Sequence, residues 1–201
     1  MNGSIAEQII LLARERGILR PRDLDPFGIP REHLRRLHER GQLIRTGRGL
    51  YILPDSNITE NHGLAEAAKR APDGVICLLS ALVFHGLTMQ APFQVWLAIG
   101  PKSWRPKVDY PPLRVVRFSG AALTAGITVH QIEGVSVRIY DPPKTVADCF
   151  KYRNKVGLDV AMEALRDCLR RRKCTVDELW RYAEICRVQS VMRPYLEAMV
   201  Q

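Results

Sequence analysis

Three features of the 201-residue sequence predict an α+β fold built in two parts. Helical spacing and turn signals in the first 53 residues give helical segments followed by a β-hairpin. Four β-like runs then fall between residues 95 and 140. From Asp141 to the C-terminus the pattern is mostly helical.

The first part reads in order. Ser4 to Arg16 places Ile5, Ile9, Leu12 and Ala13 at helical spacing, and Gly17 ends the helix. Pro21 to Leu24 is a short helical turn, broken by Pro26-Phe27-Gly28. Pro30 is expected to open a helix through Arg40, at the first-turn position that proline tolerates, with Ile29 a poor cap in front of it. Gly41 terminates it. Leu43-Ile44 and Leu50 to Leu53 are short strands around Arg45-Thr46-Gly47-Arg48-Gly49, whose glycines permit a tight turn. Three helical segments and a hairpin in about 50 residues make a winged helix-turn-helix.

Pro54 to Asn61 is a polar connector, and Leu64 to Arg70 a helix. The expected division is therefore a winged helix over 1–54, a connector and helix over 55–74, and a mixed α+β domain over 75–201 that ends in helices. In that domain Val75 to Gly86 is apolar apart from Ser80 and His85. The β-like runs are Val95 to Ile99, Leu113 to Phe118, Ile127 to Ile132 and Val135 to Tyr140, the last two joined by the tight turn Glu133-Gly134. Asp141 caps a helix with Pro142 at its first position. Leu158 to Leu169 is amphipathic, Thr175 with Glu178 forms a capping box, and Val188 to Val200 is the last helix.

The sequence contains no run of the roughly 18 apolar residues a membrane span needs, and no secretory signal is visible. Its five cysteines are an odd number without a Cys-x-x-Cys, and Cys149 and Cys168 fall in apolar helical patterns. These features imply a reducing cytoplasm, no disulfide framework, no metal site and no cofactor. Catalytic groups are not expected either. Ser80 and His85 are five apart, off a common helical face, and Gly100-Pro101-Lys102-Ser103 lacks the glycine spacing of a phosphate loop. His85 before Gly86 reads as a helix end with a hydrogen-bonded ring.

The formal net charge of +9 is uneven. Residues 1–53 hold ten Arg, no Lys and six acids, and residues 100–155 hold ten bases and four acids, while residues 54–99 are acidic. This distribution suits a polyanionic partner. At about 100° per residue, Leu34 and Leu37 face inward on the third helical segment. Arg35 and Arg36 then face outward, flanked by Glu32 and Glu39. In a winged helix that outer face enters the major groove, where Arg grips guanine and Glu accepts from cytosine. Arg31, His33 and Arg40 lie at the edges, suited to phosphates, and Arg45 and Arg48 flank the hairpin tip. The competing reading is a solvated helix, since Glu32 with Arg36 and Arg35 with Glu39 are i,i+4 pairs.

Two stretches carry a family resemblance. Residues 137–168, VRIYDPPKTVADCFKYRNKVGLDVAMEALRDC, keep the order Asp141, Pro143, Lys144, Thr145, Asp148, Arg153, Gly157, Leu158, Asp159. Residues 31–53, REHLRRLHERGQLIRTGRGLYIL, form the second. Both resemble the AbiEi family of antitoxins, bacterial transcription repressors encoded beside a nucleotidyltransferase-like toxin in abortive-infection systems. The resemblance implies a non-enzymatic autorepressor that binds inverted repeats in operator DNA, one copy per half-site. It also implies that residues 75–201 neutralise the toxin. Lys144, Lys151, Arg153 and Lys155 are the candidate contact surface there, and Lys144 is preferred because its charge in a first helical turn opposes the dipole. Asp148 is expected to pair with Lys151 or Tyr152.

Overall fold

A computed structural model describes residues 4–106, 108 and 110–200. The chain separates into two compact units. The first comprises residues 1–72, 106–112 and 130–137, and the second residues 73–105, 113–129 and 138–201.

The first unit runs α1 (Ile5–Arg16), a 3-10 turn (Pro21–Phe27), α2 (Glu32–Glu39), β1 (Ile44–Gly47), β2 (Leu50–Ile52) and α3 (His62–Arg70). Ser4 starts α1 with a capping box: its hydroxyl accepts from Glu7 N, and the Glu7 carboxylate accepts from Ser4 N. β1 and β2 pair antiparallel with an irregularity between Arg45 and Gly47. Leu19 adds a short third rung by exchanging backbone hydrogen bonds of 2.8 and 3.0 Å with Tyr51. The helices and hairpin enclose a core of Ile9, Leu12, Leu24, Leu34, Leu37 and Leu43. α3 buries Leu64, Ala65 and Ala67, and also Glu66, which is fully buried.

Charge is handled locally in this unit. The His62 ring lies between two carboxylates, with Nδ1 2.6 Å from Glu133 and Nε2 3.4 Å from Glu66. Glu133 also accepts from the Thr59 N–H and hydroxyl. Glu66, followed by Glu133, raises the His62 pKa to about 9 against the pull of burial. The contribution of a protonated His62 is therefore fully present below its ordinary value of 6.5, and is lost as pH rises through about 9. We expect the melting temperature to fall across that upper range in wild type and to fall less in His62→Gln. Parallel curves from thermal melts at stepped pH would refute the assignment.

The second unit adds β3 (Val75–Ile76), α4 (Leu78–Phe84), β4 (Val95–Ile99), β5 (Leu113–Arg117), α5 (Ala121–Thr124), β6 (Ile127–Ile132) and β7 (Val135–Tyr140). It ends in α6 (Pro142–Lys151), α7 (Arg153–Val156), α8 (Leu158–Arg170), α9 (Val176–Ile185) and α10 (Gln189–Val200). The sheet order is β5-β4-β3-β7-β6; β3 is antiparallel to β4 and parallel to β7, and β4 is parallel to β5. The far ends of β6 and β7 belong to the first unit. Among the described residues no helix is long and apolar enough to cross a membrane.

α6 is the axis of this unit, packing against α4, α8, α9 and α10. Every residue from Pro143 to Phe150 is buried. Asp141 caps it, as its sequence position predicts: one carboxylate oxygen accepts from Lys144 N and the other from the Tyr182 hydroxyl. Lys144 is wholly buried, which corrects its expected place on a contact surface. Its ammonium lies 2.6 Å from Asp148 and 4.2 Å from the centre of the Tyr140 ring. Asp148 therefore pairs with Lys144, not with Lys151 or Tyr152, and its other oxygen accepts from the Cys186 thiol at 3.2 Å. Burial pushes the Asp148 carboxyl up to about 6 even against the pull of Lys144. Gly126 makes room for the arrangement, since a Cβ there would lie 2.7 Å from Lys144 Cβ.

There is one local link that the sequence signals did not reveal: Cys168 near the end of α8 is joined to Cys174, with Cα atoms 5.7 Å apart. Six residues of sequence separation let the turn after α8 fold back onto it. Cys77, Cys149 and Cys186 are free and buried. His85 ends α4 with its Nε2 2.7 Å from the Tyr140 carbonyl, and Ser80 accepts from Trp96 N.

Lys144→Met strands the Asp148 carboxylate without its cation, at a cost of about 3–5 kcal/mol, whereas removing an exposed lysine changes stability by less than about 0.5 kcal/mol. Urea unfolding distinguishes the two. The loss should shrink at low pH, because Asp148 sheds its charge by protonation, and the double substitution Lys144→Met with Asp148→Leu should recover most of it.

Candidate nucleic-acid interface

The candidate site is built on α2. Its helix begins at Glu32 and not at Pro30, because Pro30 and Arg31 form a tight turn in which His33 N and Leu34 N donate to their carbonyls. No side chain caps it. Leu34 and Leu37 are 1% and 3% exposed and seat the helix in the core. Arg35 and Arg36 therefore face solvent, with their side chains 67% and 52% exposed.

Both arginines are engaged along the helix. Arg35 meets Glu39 at 2.6 Å and Arg36 meets Glu32 at 2.9 Å. Arg31 donates to both Asp25 oxygens, the shorter bond being 2.8 Å. Such exposed pairs contribute only about 0.3–0.5 kcal/mol, while a bidentate arginine–guanine contact gives roughly 1–3 kcal/mol of discrimination. The pairs therefore hold the guanidinium groups in order without preventing their exchange onto a stronger partner. His33 is half-buried at the helix edge and Arg40 is exposed at the C-terminal cap.

The wing carries the remaining candidates. Arg45 Nε donates to the Gly47 carbonyl at 3.1 Å, which curls it over the turn. Arg48 is exposed at the tip. The turn is braced from behind by Arg70, whose Nη1 donates to the Arg48 carbonyl at 2.9 Å. Glycine at 47 permits this brace, because a Cβ there would lie 2.7 Å from the Arg70 guanidinium. The sequence reading missed Arg20, Arg22, Lys69 and Arg70, which share a cleft with Arg31 and Arg48. The adjacent Lys69-Arg70 at the end of α3 was the available signal.

The basic residues expected on the second unit divide. Lys151 and Lys155 are exposed, and the Lys155 ammonium lies 5.4 Å from the centre of the Tyr152 ring. Arg153 is half-buried and donates to the Phe150 carbonyl at 3.1 Å. Lys144 is not among them on the surface. No group of three His, Cys, Asp or Glu among the described residues is placed to hold a metal ion.

Helices packed under an exposed arginine pair, followed by a braced wing, place the first unit in the winged-helix class. Residues 7–54 match the model of the family described as "Transcriptional regulator, AbiEi antitoxin", and the first unit is similar to that family over this segment. No curated protein matches the sequence. Among solved structures, the RV2827C protein from Mycobacterium tuberculosis is similar, with a TM-score of 0.61 at 17% identity, covering 92% of this chain and 72% of that one. At that identity the likeness is one of fold, and it supports the α+β architecture across both units.

Arg35→Ala and Arg36→Ala each delete one exposed pair, so each should shift stability by less than about 0.5 kcal/mol. Leu37→Ala should cost about 2–5 kcal/mol. Chemical denaturation that finds the arginine variants as damaged as the leucine variant would mean that α2 is held by its ion pairs.

Proposed function

We propose that the chain is a DNA-binding autorepressor that also serves as the antitoxin of a toxin–antitoxin operon. The observation that carries the first half is the pair Arg35 and Arg36, exposed on a helix whose opposite face is locked into the core. The family match over residues 7–54 supports the regulatory reading. In this scheme α2 lies in the major groove, Arg35 and Arg36 read guanines, and Glu32 accepts from cytosine. Arg31, His33 and Arg40 hold phosphates, and Arg45 and Arg48 extend the wing along the backbone or into the minor groove. One copy occupies each half of an inverted repeat.

For the second half, the partner is a nucleotidyltransferase-like toxin. The supporting observations are the family match and the exposed Lys151 at the end of α6 and Lys155 in α7, with Arg153 between them. Lys144 serves this surface only from within, by setting the position of α6. A regulator without a toxin partner is the second reading, favoured by the position of the family match, which lies entirely in the first unit.

A gel-shift titration against the chain's own upstream DNA, with random DNA as competitor, tests the proposal. Wild type should give saturable shifts in two steps that survive competitor. Arg35→Ala with Arg36→Ala should abolish them and leave a weak salt-sensitive residue, because log affinity falls by about 0.9 per phosphate contact for each log unit of salt. Unchanged affinity in that variant, or wild-type shifts that random DNA removes, would defeat the DNA-reading assignment.

A further inference from the structure

Arg20, Arg22, Arg31, Arg48, Lys69 and Arg70 line one cleft of about 600 Å³ beside the wing. Among the described residues the rest of its lining is apolar or glycine, and none of them brings a carboxylate. The carboxylates within ion-pair reach of these cations are Asp23, which serves Arg20 and Lys69, and Asp25, which serves Arg31. Among the described residues, Arg22, Arg48 and Arg70 have no acidic partner. Among the described residues, six cations against two carboxylates leave an excess of positive charge facing one concavity.

The groups are held in place in advance. Arg20 donates to the Lys69 carbonyl and reaches Asp23, the Lys69 ammonium lies 3.2 Å from Asp23, and Arg70 is fixed on the Arg48 carbonyl. Pre-ordered side chains lower the entropy lost on binding. The Nε groups of Arg20 and Arg70 are buried without an acceptor, although other nitrogens of both guanidinium groups are bonded. Burial lowers the Lys69 pKa despite Asp23, and Arg20 adds to that pressure. An anion in the cleft would favour the charged form of Lys69.

The residue types narrow the anion. A single carboxylate is satisfied by one guanidinium fork, whereas the oxygens of a phosphate accept from several forks at once. We propose that this cleft is a phosphate-binding site, distinct from the outer face of α2, that takes the phosphate groups of a nucleotide or of a nucleic-acid backbone. It adds Arg20, Arg22, Lys69 and Arg70 to the phosphate contacts proposed above for Arg31 and Arg48, on which its nucleic-acid form rests, and it is independent of base reading by Arg35 and Arg36.

The test uses the full chain, inorganic pyrophosphate by calorimetry at physiological ionic strength, and a short random DNA duplex by fluorescence anisotropy. Wild type should bind pyrophosphate at one saturable site with Kd below about 1 mM. Arg22→Gln with Arg70→Gln should weaken it about tenfold or more, and the exposed Arg22→Gln alone should weaken it less without touching the fold. Arg35→Gln with Arg36→Gln should leave it unchanged, so the result stands apart from operator reading. Loss of pyrophosphate binding alone in the Arg22 and Arg70 variant identifies a free phosphate-bearing ligand. Loss of duplex affinity with a shallower salt slope, with or without loss of pyrophosphate, identifies the nucleic-acid backbone. Pyrophosphate affinity and duplex affinity both unaltered in that variant, or wild type that binds neither, would overturn the proposal.

Discussion

Lys144 and Asp148 sit one turn apart on a helix that water does not reach, and the second unit is arranged around them. A buried ammonium is tolerated only where a carboxylate meets it and the remaining donors find electron-rich neighbours. Here the carboxylate lies 2.6 Å away, and the rings of Tyr140 and Phe118 lie within 5 Å of the ammonium. That requirement spreads outward. Tyr140 must end β7 beside α6, Phe118 must follow β5, and position 126 must lack a side chain. Cys186 after α9 supplies the last donor to Asp148. A swap of both charges for apolar groups would pack as well, so the pair's value is in fixing one arrangement of α6 among its neighbours.

The same pair marks the limit of what the sequence made legible. Elements with a local signal were readable: the Asp141 cap, the Thr175–Glu178 capping box, the turn at Glu133-Gly134, the amphipathic α8, and the four longer strands. Each depends on residues within a few positions of one another. α6 gave a misleading signal, because a helix buried on all sides has no solvent face for its charges to mark. Lys144 looked like a functional cation in a first turn, although its partner stood four residues on in the same segment. β3 escaped because two residues carry no periodicity. The Cys168–Cys174 link escaped because an odd cysteine count without a Cys-x-x-Cys argues against a framework but not against one local closure. In the candidate site, the α2 face followed from helical geometry alone. The cleft did not, because its cations come from near positions 20, 31, 48 and 70 and only folding collects them.

The first unit thus contains two populations of arginine in different electrostatic states. Arg31, Arg35 and Arg36 are each matched by an acid, so the outer face of α2 is close to neutral despite its composition. A neutralised arginine gains little from a phosphate passing at random, because it must give up a partner to bind. It gains more from a guanine edge that engages both arms of its fork. In the proposed DNA-binding role, acids among the arginines of α2 would favour discrimination over raw attraction. Among the described residues, Arg22, Arg48 and Arg70 lack such partners and face a basic concavity. Groups in that state attract any phosphate and distinguish no base. The wing turn joins the two populations, since Arg70 lines the cleft and also donates to the Arg48 carbonyl. Occupation of the cleft by an anion would therefore act directly on the geometry of the wing tip.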